Sequence, residues 1–301
     1  GFGGPPGARR HGARGPRGNG ERLTGPGMVE ILRVTDPEDP RIAAYRNVRE
    51  RDLVGRQGLF IAEGKVVLNV LAGAGSFAPL SMLVLENRLA GLSDLIGRMP
   101  VGMPVYVAES AVMDAIAGFH MHRGVLAIGR RNDPPTADDL LATLPSSALV
   151  LVLVGVSNHD NVGAIFRNAA AFGADAVFLD GTCCDPLYRK AIRVSVGGVF
   201  RVPFARFDDT SAFAASLASA GFRTLALSPS GATDISELRR PERGALFLGA
   251  EGEGLPETLL ASMETVRIAI APGFDSLNVA ATSAIALHRL ADLSGGGRAS
   301  G

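Results

Sequence analysis

Cysteine is close to absent: the 301 residues contain two, adjacent at Cys183 and Cys184. One vicinal pair cannot make a disulfide framework or a four-ligand zinc site, and the setting expected is a reducing cytoplasm. Long apolar runs are also missing. The longest, Ala148 to Val154, falls far short of the roughly 20 residues of a spanning helix and reads instead as a buried strand. The first residues lack the compact apolar core of a secretory signal, so export is not expected. The five histidines, His11, His120, His122, His159 and His288, join no cysteine in a ligand-spaced cluster, and no metal is expected. His120 and His122 alternate and could pair as ligands, but a simple loop explains them. No internal repeat and no heptad pattern appears. Net charge is lacking too, because 30 basic and 30 acidic side chains cancel.

What is present is apolar surface. A 47% hydrophobic content with 20% charge offsets the ordering entropy of a packed core, and the length leaves room for two domains. The cancelled charge hides an asymmetry. Residues 1–27 carry Arg9, Arg10, Arg14, Arg17 and Arg22 against Glu21, so this stretch is +4 and the remainder −4. Rich in Gly, Arg and Pro, it is expected to be a disordered tail that touches phosphates weakly, or an upstream extension without a role. A second short tail is expected at 296–301.

From Met28 onward, short β-branched runs alternate with amphipathic segments, the pattern of α/β layers. The first block predicts strands at 59–62, 82–85, 105–107 and 125–128, with helices at 64–72, 89–98 and 110–117. The polar, proline-bearing stretch 131–147 reads as a linker between a domain at 28–130 and a second at 148–295. The second block predicts strands at 148–154, 176–179, 199–203, 223–227, 245–249 and 266–270. Helices are expected at 162–173, 186–193, 209–220, 256–262 and 278–293. Strands separated by helices favour a mostly parallel sheet, whose ligands sit beyond the carboxyl ends of the strands.

That rule singles out three loops. The first, Gly155 to Gly163, continues into Ala-Ile-Phe-Arg167, so Asn161 could cap the helix and Arg167 could hold an anion near its start. The alternative is a plain cap with a surface arginine. The second, Gly249-Ala-Glu251-Gly-Glu253-Gly254-Leu-Pro256, lets backbone approach a ligand closely. It lacks both the dinucleotide fingerprint and the Gly-Lys-Ser/Thr of a phosphate loop. The third runs from Ile268 to Val279, where Ser276 or Asn278 could be no more than an N-cap. At one sheet edge the three loops would gather Asn161, Arg167, Glu251, Ser276 and Asn278.

The segments N-V-G-A-I-F-R-N (161–168), G-A-E-G-E-G-L (249–255) and S-L-N-V (276–279), in that order, resemble the three motifs of the SpoU/TrmH family of RNA 2'-O-ribose methyltransferases in the SPOUT superfamily. The N-terminal block, with F-I-A-E-G-K (60–65) and R-G-V-L-A-I (123–128), is similar to that family's L30e-like substrate-binding domain. Two stretches depart from the pattern: Ile268-Ala269-Ile270 stands where relatives read I-P-M, and Gly118 to Gly124 replaces the usual loop.

The resemblance implies an α/β chain with a C-terminal trefoil-knot methyltransferase domain and a smaller N-terminal L30e-like domain. It further implies S-adenosyl-L-methionine as methyl donor, tRNA or rRNA as substrate, and a cytoplasmic homodimer with no membrane partner. By the same correspondence Gly249, Ile268 and Leu277 contact the cofactor. Asn161, Arg167, Glu251, Ser276 and Asn278 form the catalytic set around the ribose. A guanidinium holds its proton too tightly for a good base, so Arg167 is expected to bind the target phosphate and stabilise developing alkoxide charge. Asn161 and Ser276 would orient the hydroxyl and Asn278 would brace the loop. Glu251 would shape its loop by bonding backbone N–H groups or act directly. His159 is expected to be a solvent-exposed loop residue.

Because the body is acidic, phosphate contacts must come from local clusters. Candidates are Arg189, Lys190, Arg193 and Arg201, and Tyr45, Arg46, Arg49 and Arg51 on an opening helix. Each cluster could equally be a solvated face. The competing functions are a noncatalytic RNA-binding or ribosome-assembly factor, a base-methylating SPOUT enzyme and a nucleotide-dependent oxidoreductase, the last opposed by the missing fingerprint.

Overall fold

The structure, a computed structural model, describes residues 29–46, 54–55, 57–117 and 124–291. The first sheet contains β1 (Glu30–Val34), β2 (Leu59–Glu63), β3 (Phe77–Leu85), β4 (Pro104–Ala108) and β5 (Val125–Arg131), in the order β1-β4-β3-β5-β2. Its first three members run parallel, and β5 is antiparallel to both β3 and β2. Helices α1 (Lys65–Leu71) and α2 (Ser110–Ala117) flank it.

The second half begins with α3 (Ala137–Thr143) and β6 (Ala148–Leu153), followed by α4 (His159–Phe172), β7 (Ala176–Asp180) and α5 (Arg189–Val194). Next come β8 (Phe204–Phe207), α6 (Thr210–Ser219), β9 (Arg223–Leu227) and β10 (Thr233–Asp234). The last elements are β11 (Arg243–Leu248), α7 (Glu257–Ser262), β12 (Glu264–Arg267) and α8 (Val279–Leu290). The seven strands form one parallel sheet, β10-β12-β9-β11-β6-β7-β8.

Every residue of β6 is buried because helices cover both faces of its sheet. Ala148, Val150 and Val152 face a core with α3, α6 and α7, while Leu149, Leu151 and Leu153 face α4, α5 and α8. The second of these cores continues without interruption into the first sheet. Phe60, Phe77 and Phe200 meet there with ring centroids 5.0–5.8 Å apart. The Phe60 ring lies over Gly129, where a Cβ would come within 2.4 Å of it.

Several elements differ from the sequence expectation for local reasons. The presumed linker 131–147 contains α3: Thr136 caps it by accepting the Asp139 N–H at 3.1 Å, and Leu140 and Leu141 are buried in the core shared with α6 and α7. The stretch 199–203 is not a strand. Gly197, at φ 80°, opens a 3-10 turn over Gly198–Phe200, whose glycine backbone packs against the Phe166 carbonyl, and β8 starts only after Pro203. The expected helix 89–98 is a 3-10 turn, Glu86–Leu92, followed by the single helical turn Ser93–Ile96. The edge strand β1 had no predicted counterpart. No helix among the described residues is long and apolar enough to cross a membrane.

Candidate functional site

The chain runs from β6 rightward through β7 to β8, then crosses to β9 on the far side of β11. The direction therefore reverses between β6 and β11, which pair in register up to Leu153 and Leu248. At such a switch point the two outgoing loops diverge and leave a crevice. Loops 155–158 and 249–256 bound it, and the stretch 268–278, which lies outside any helix or strand, closes it from the β12 side.

The first loop is held from beneath. Buried Asp180 accepts from Gly155 N at 3.1 Å, Thr182 N at 3.0 Å and Cys183 N at 2.9 Å, while Cys183 Sγ accepts from Val156 N at 3.3 Å. Arg206 donates to the carbonyls of Asp180, Cys183 and Cys184 at 2.9–3.3 Å, completing the clamp. Burial pushes both cysteine thiols up to about 12, so neither is a nucleophile at neutral pH.

The helix cap sits earlier than expected. Asn158, not Asn161, is the N-cap of α4: its Oδ1 accepts from Asp160 N at 2.8 Å and Asn161 N at 3.2 Å. Asn161 is thus inside the first turn, with its side chain free for other work. Its Nδ2 donates to Glu251 Oε1 at 2.6 Å. Asn278 caps α8 through Oδ1, at 2.9 Å from Ala280 N and 3.3 Å from Ala281 N. Its Nδ2 donates to Asn161 Oδ1 at 3.0 Å and to Glu251 Oε1 at 2.9 Å. The result is a closed triangle of Asn161 in the first turn of α4, Glu251 in the loop after β11 and Asn278 at the start of α8. Glu251 accordingly bonds side-chain amides, not the backbone N–H groups expected of it. Beside the triangle, Asn168 Nδ2 reaches Ala280 O and Ser283 Oγ, both at 2.9 Å, and ties α4 to α8.

Under the triangle lies a cavity of about 440 Å³ at the carboxyl ends of β9, β11 and β12. Leu227, Leu248, Leu255, Ile268 and Leu277 give it apolar walls, and Gly249, Ser276 and Asn278 also line it. At Gly249 a Cβ would fall 2.2 Å from the Gly254 carbonyl carbon, so only glycine lets the loop fold back on itself. The volume and the mix of apolar wall with few polar groups suit a nucleoside-sized cofactor. Because 268–278 has left the sheet, its main-chain donors and acceptors are not used by strand pairing there.

Of the eight residues expected at the site, Gly249, Glu251, Ile268, Ser276, Leu277 and Asn278 line the cavity, and Asn161 joins through the triangle. Arg167 does not. It is exposed on α4, outside the lining. Six residues advance a helix by about 9 Å and rotate it well away from the starting face, so Asn161 and Arg167 cannot point the same way. His159 is the first residue of α4, half-buried and stacked on Tyr188 at 5.0 Å with 25° between the rings. Sequence reasoning missed both that contact and Asp180, whose only signal was its position at a strand end.

The basic clusters also divide. Tyr45 is buried in the first domain's core with its hydroxyl 2.6 Å from Ser81 Oγ, so it is no surface contact. Arg46 pairs with Glu38, while Arg49 and Arg51 fall outside the described residues, as do His120 and His122. Arg189 bonds Glu63 at 3.0 and 3.2 Å, and Lys190 pairs with Asp160 at 2.6 Å, whereas Arg193 and Arg201 are exposed.

The family model for the SpoU rRNA methylase family matches residues 148–288. An uncharacterized tRNA/rRNA methyltransferase of Mycobacterium bovis is 41% identical over 272 residues, covering 87% of this chain and 92% of its own length. A counterpart in Mycobacterium tuberculosis has the same identity and coverage. Among solved structures, an AdoMet-bound rRNA methyltransferase from Sinorhizobium meliloti aligns with TM-score 0.72 and 25% identity, over 86% of this chain and 97% of that one. An RNA 2'-O ribose methyltransferase aligns at TM-score 0.71, also with 25% identity and the same coverage. With its switch-point cavity and three motif loops in place, the chain belongs to the SpoU family of RNA methyltransferases, which take their methyl group from S-adenosylmethionine.

Proposed function

We propose that this protein methylates a ribose 2'-hydroxyl of tRNA or rRNA in the cytoplasm, as a homodimer. The triangle of Asn161, Glu251 and Asn278 carries the reading, because it locks the three motif loops around one cavity. Bound S-adenosylmethionine would supply an electrophilic methyl group there. Gly249, Ile268 and Leu277 would hold it by main-chain and apolar contact. Glu251 fixes both amides and keeps the cavity mouth in one shape, so the entering oxygen meets a preorganised surface. Asn161 and Ser276 present neutral hydrogen-bonding groups to the ribose. We assign Arg167, exposed on α4, to a phosphate of the target strand, where it holds that strand in place while the hydroxyl proton leaves to water.

The C-terminal strands support a trefoil knot. β12 is inserted between β9 and β10, and β10 belongs to the connection from β9 to β11, so the chain leaving β12 is bracketed by two earlier loops. The first sheet, with its own helices, serves in this reading as the L30e-like substrate-binding domain. Residues 1–27 and 296–301 lie outside the described residues.

The test is to incubate the full chain with radiolabelled S-adenosylmethionine and tRNA or rRNA from cells lacking the gene, then digest to nucleosides. Label on a 2'-O-methyl nucleoside is expected. Label on a base would make it a base methyltransferase, and cofactor binding without transfer to any pool would favour an assembly role. Arg167→Ala should abolish transfer and spare cofactor binding; near-normal rates would remove Arg167 from its assigned role.

A further inference from the structure

A second cavity, of about 610 Å³, lies where the two sheets' domains meet, apart from the motif loops. Lys65 at the start of α1, Arg88 in the turn after β3 and Arg193 on α5 all line it, and all three are exposed. Lys65 Nζ also donates to the Gly91 carbonyl at 2.8 Å, a neutral partner that leaves its charge in place. Among the described residues the lining holds one acid, Glu63, which is buried and takes two bonds from Arg189 at 3.0 and 3.2 Å. The cleft thus concentrates positive charge on a body that carries −4 from residue 28 onward. Its floor is apolar, formed by Val67, Leu92 and Val125.

Helix α5 connects this cleft to the motif loops. Arg193 is one turn beyond Lys190, which pairs with Asp160 in the first turn of α4, and Tyr188 just before α5 stacks on His159. Gly163 lets the two helices meet closely, with its missing Cβ only 2.7 Å from Ala191 O. A chain of phosphates lying across Lys65, Arg88 and Arg193 would therefore run toward the mouth of the cofactor cavity. We propose that this cleft grips the sugar–phosphate backbone of the RNA being methylated, with both domains contributing cations to one strand. The assignment rests on the reading of the protein as an RNA methyltransferase.

The test uses the full chain and a fluorescein-labelled RNA stem-loop, with anisotropy measured across a range of salt concentrations. Each lost phosphate contact lowers the slope of log affinity against log salt by about 0.7–0.9, so K65Q/R88Q/R193Q should flatten it by about 2–3 and bind at least about tenfold more weakly. Calorimetric binding of S-adenosylmethionine should be unchanged in the triple variant, which also reports that it is folded. Arg239→Gln, at an exposed position in the β10–β11 connection, should leave RNA binding as it was. A triple variant with native affinity and slope overturns the cleft alone. Displacement of the RNA by polyglutamate at equal charge would mark an acidic-protein site and overturn it too. Failure of the unmutated chain to bind any RNA overturns the underlying reading along with the cleft.

Discussion

At the scale of single residues, one carboxylate oxygen has two tasks. Glu251 Oε1 accepts from both Asn161 and Asn278, so replacing it leaves two amides at the cavity mouth with no anion to hold them. Hydrogen bonds to a charged acceptor contribute about 1.5–3 kcal/mol when buried, and less at an exposed position such as this. Glu251→Ala should weaken S-adenosylmethionine by about tenfold in calorimetry with little change in Tm. The residues of the triangle were legible by type and loop, but their pairing was not. The sequence pointed to Asn161 as the cap, and only the backbone shows that Asn158 takes that role and releases Asn161 to reach Glu251. That Arg167 sits exposed on α4, outside the cavity lining, was not legible for a related reason, since sequence spacing alone does not say which helix face a residue takes. The thiols make a pH prediction. Desolvation raises Cys183 and Cys184 from 9.0 to about 12, so the folded state retains protons that the unfolded chain loses. The stability they contribute is complete below about pH 9 and declines as pH rises toward about 12. Between these limits C183S/C184S should lose stability less steeply than the parent in urea titrations.

At the scale of elements, glycine decides how closely backbones approach. A Cβ on Gly163 would lie 2.7 Å from Ala191 O and 2.8 Å from Val194 Cβ, forcing α4 and α5 apart. Gly163→Ala should cost about 1–3 kcal/mol in denaturant unfolding, as overpacking does. In the motif loop, Gly249 and Gly252 behave differently. Gly249→Ala collides with the Gly254 main chain and should abolish cofactor binding, whereas Gly252 has φ 88° with open space around it. Gly252→Ala carries only the left-handed backbone cost of about 1–2 kcal/mol and should weaken binding modestly. Comparing the two by cofactor titration separates close approach from conformational strain. The uniformly apolar run of β6 and the amphipathic pattern of α4 were readable from sequence alone. α3 was not, because Asn132 to Thr136 reads as a linker until Thr136 is recognised as a cap. β8 was displaced because Val199, Phe200 and Val202 resemble a strand, while the Gly197-Gly198 turn beside Phe166 forbids one.

At the scale of the whole molecule, two sheets share one uninterrupted core, joined by the Phe60, Phe77 and Phe200 rings and by the Glu63–Arg189 pair. The halves should not melt separately. Scanning calorimetry is expected to give one transition, with calorimetric and van't Hoff enthalpies in agreement. Glu63→Gln, which removes a buried carboxylate facing Arg189, should cost about 2 kcal/mol or more of stability and lower the temperature of that transition without splitting it. Two resolved transitions would refute the shared core. The placement of β11 between β9 and β6 has a further consequence, for how the protein is made. Synthesis runs from the amino end, so β6 and β9 emerge from the ribosome well before the strand that joins them. Until residue 248 is complete, each exposes an unpaired parallel edge, open to wrong partners. Nascent chains stopped short of β11 should therefore be captured by chaperones or aggregate, while those extended past α8 become protease-resistant in a single step.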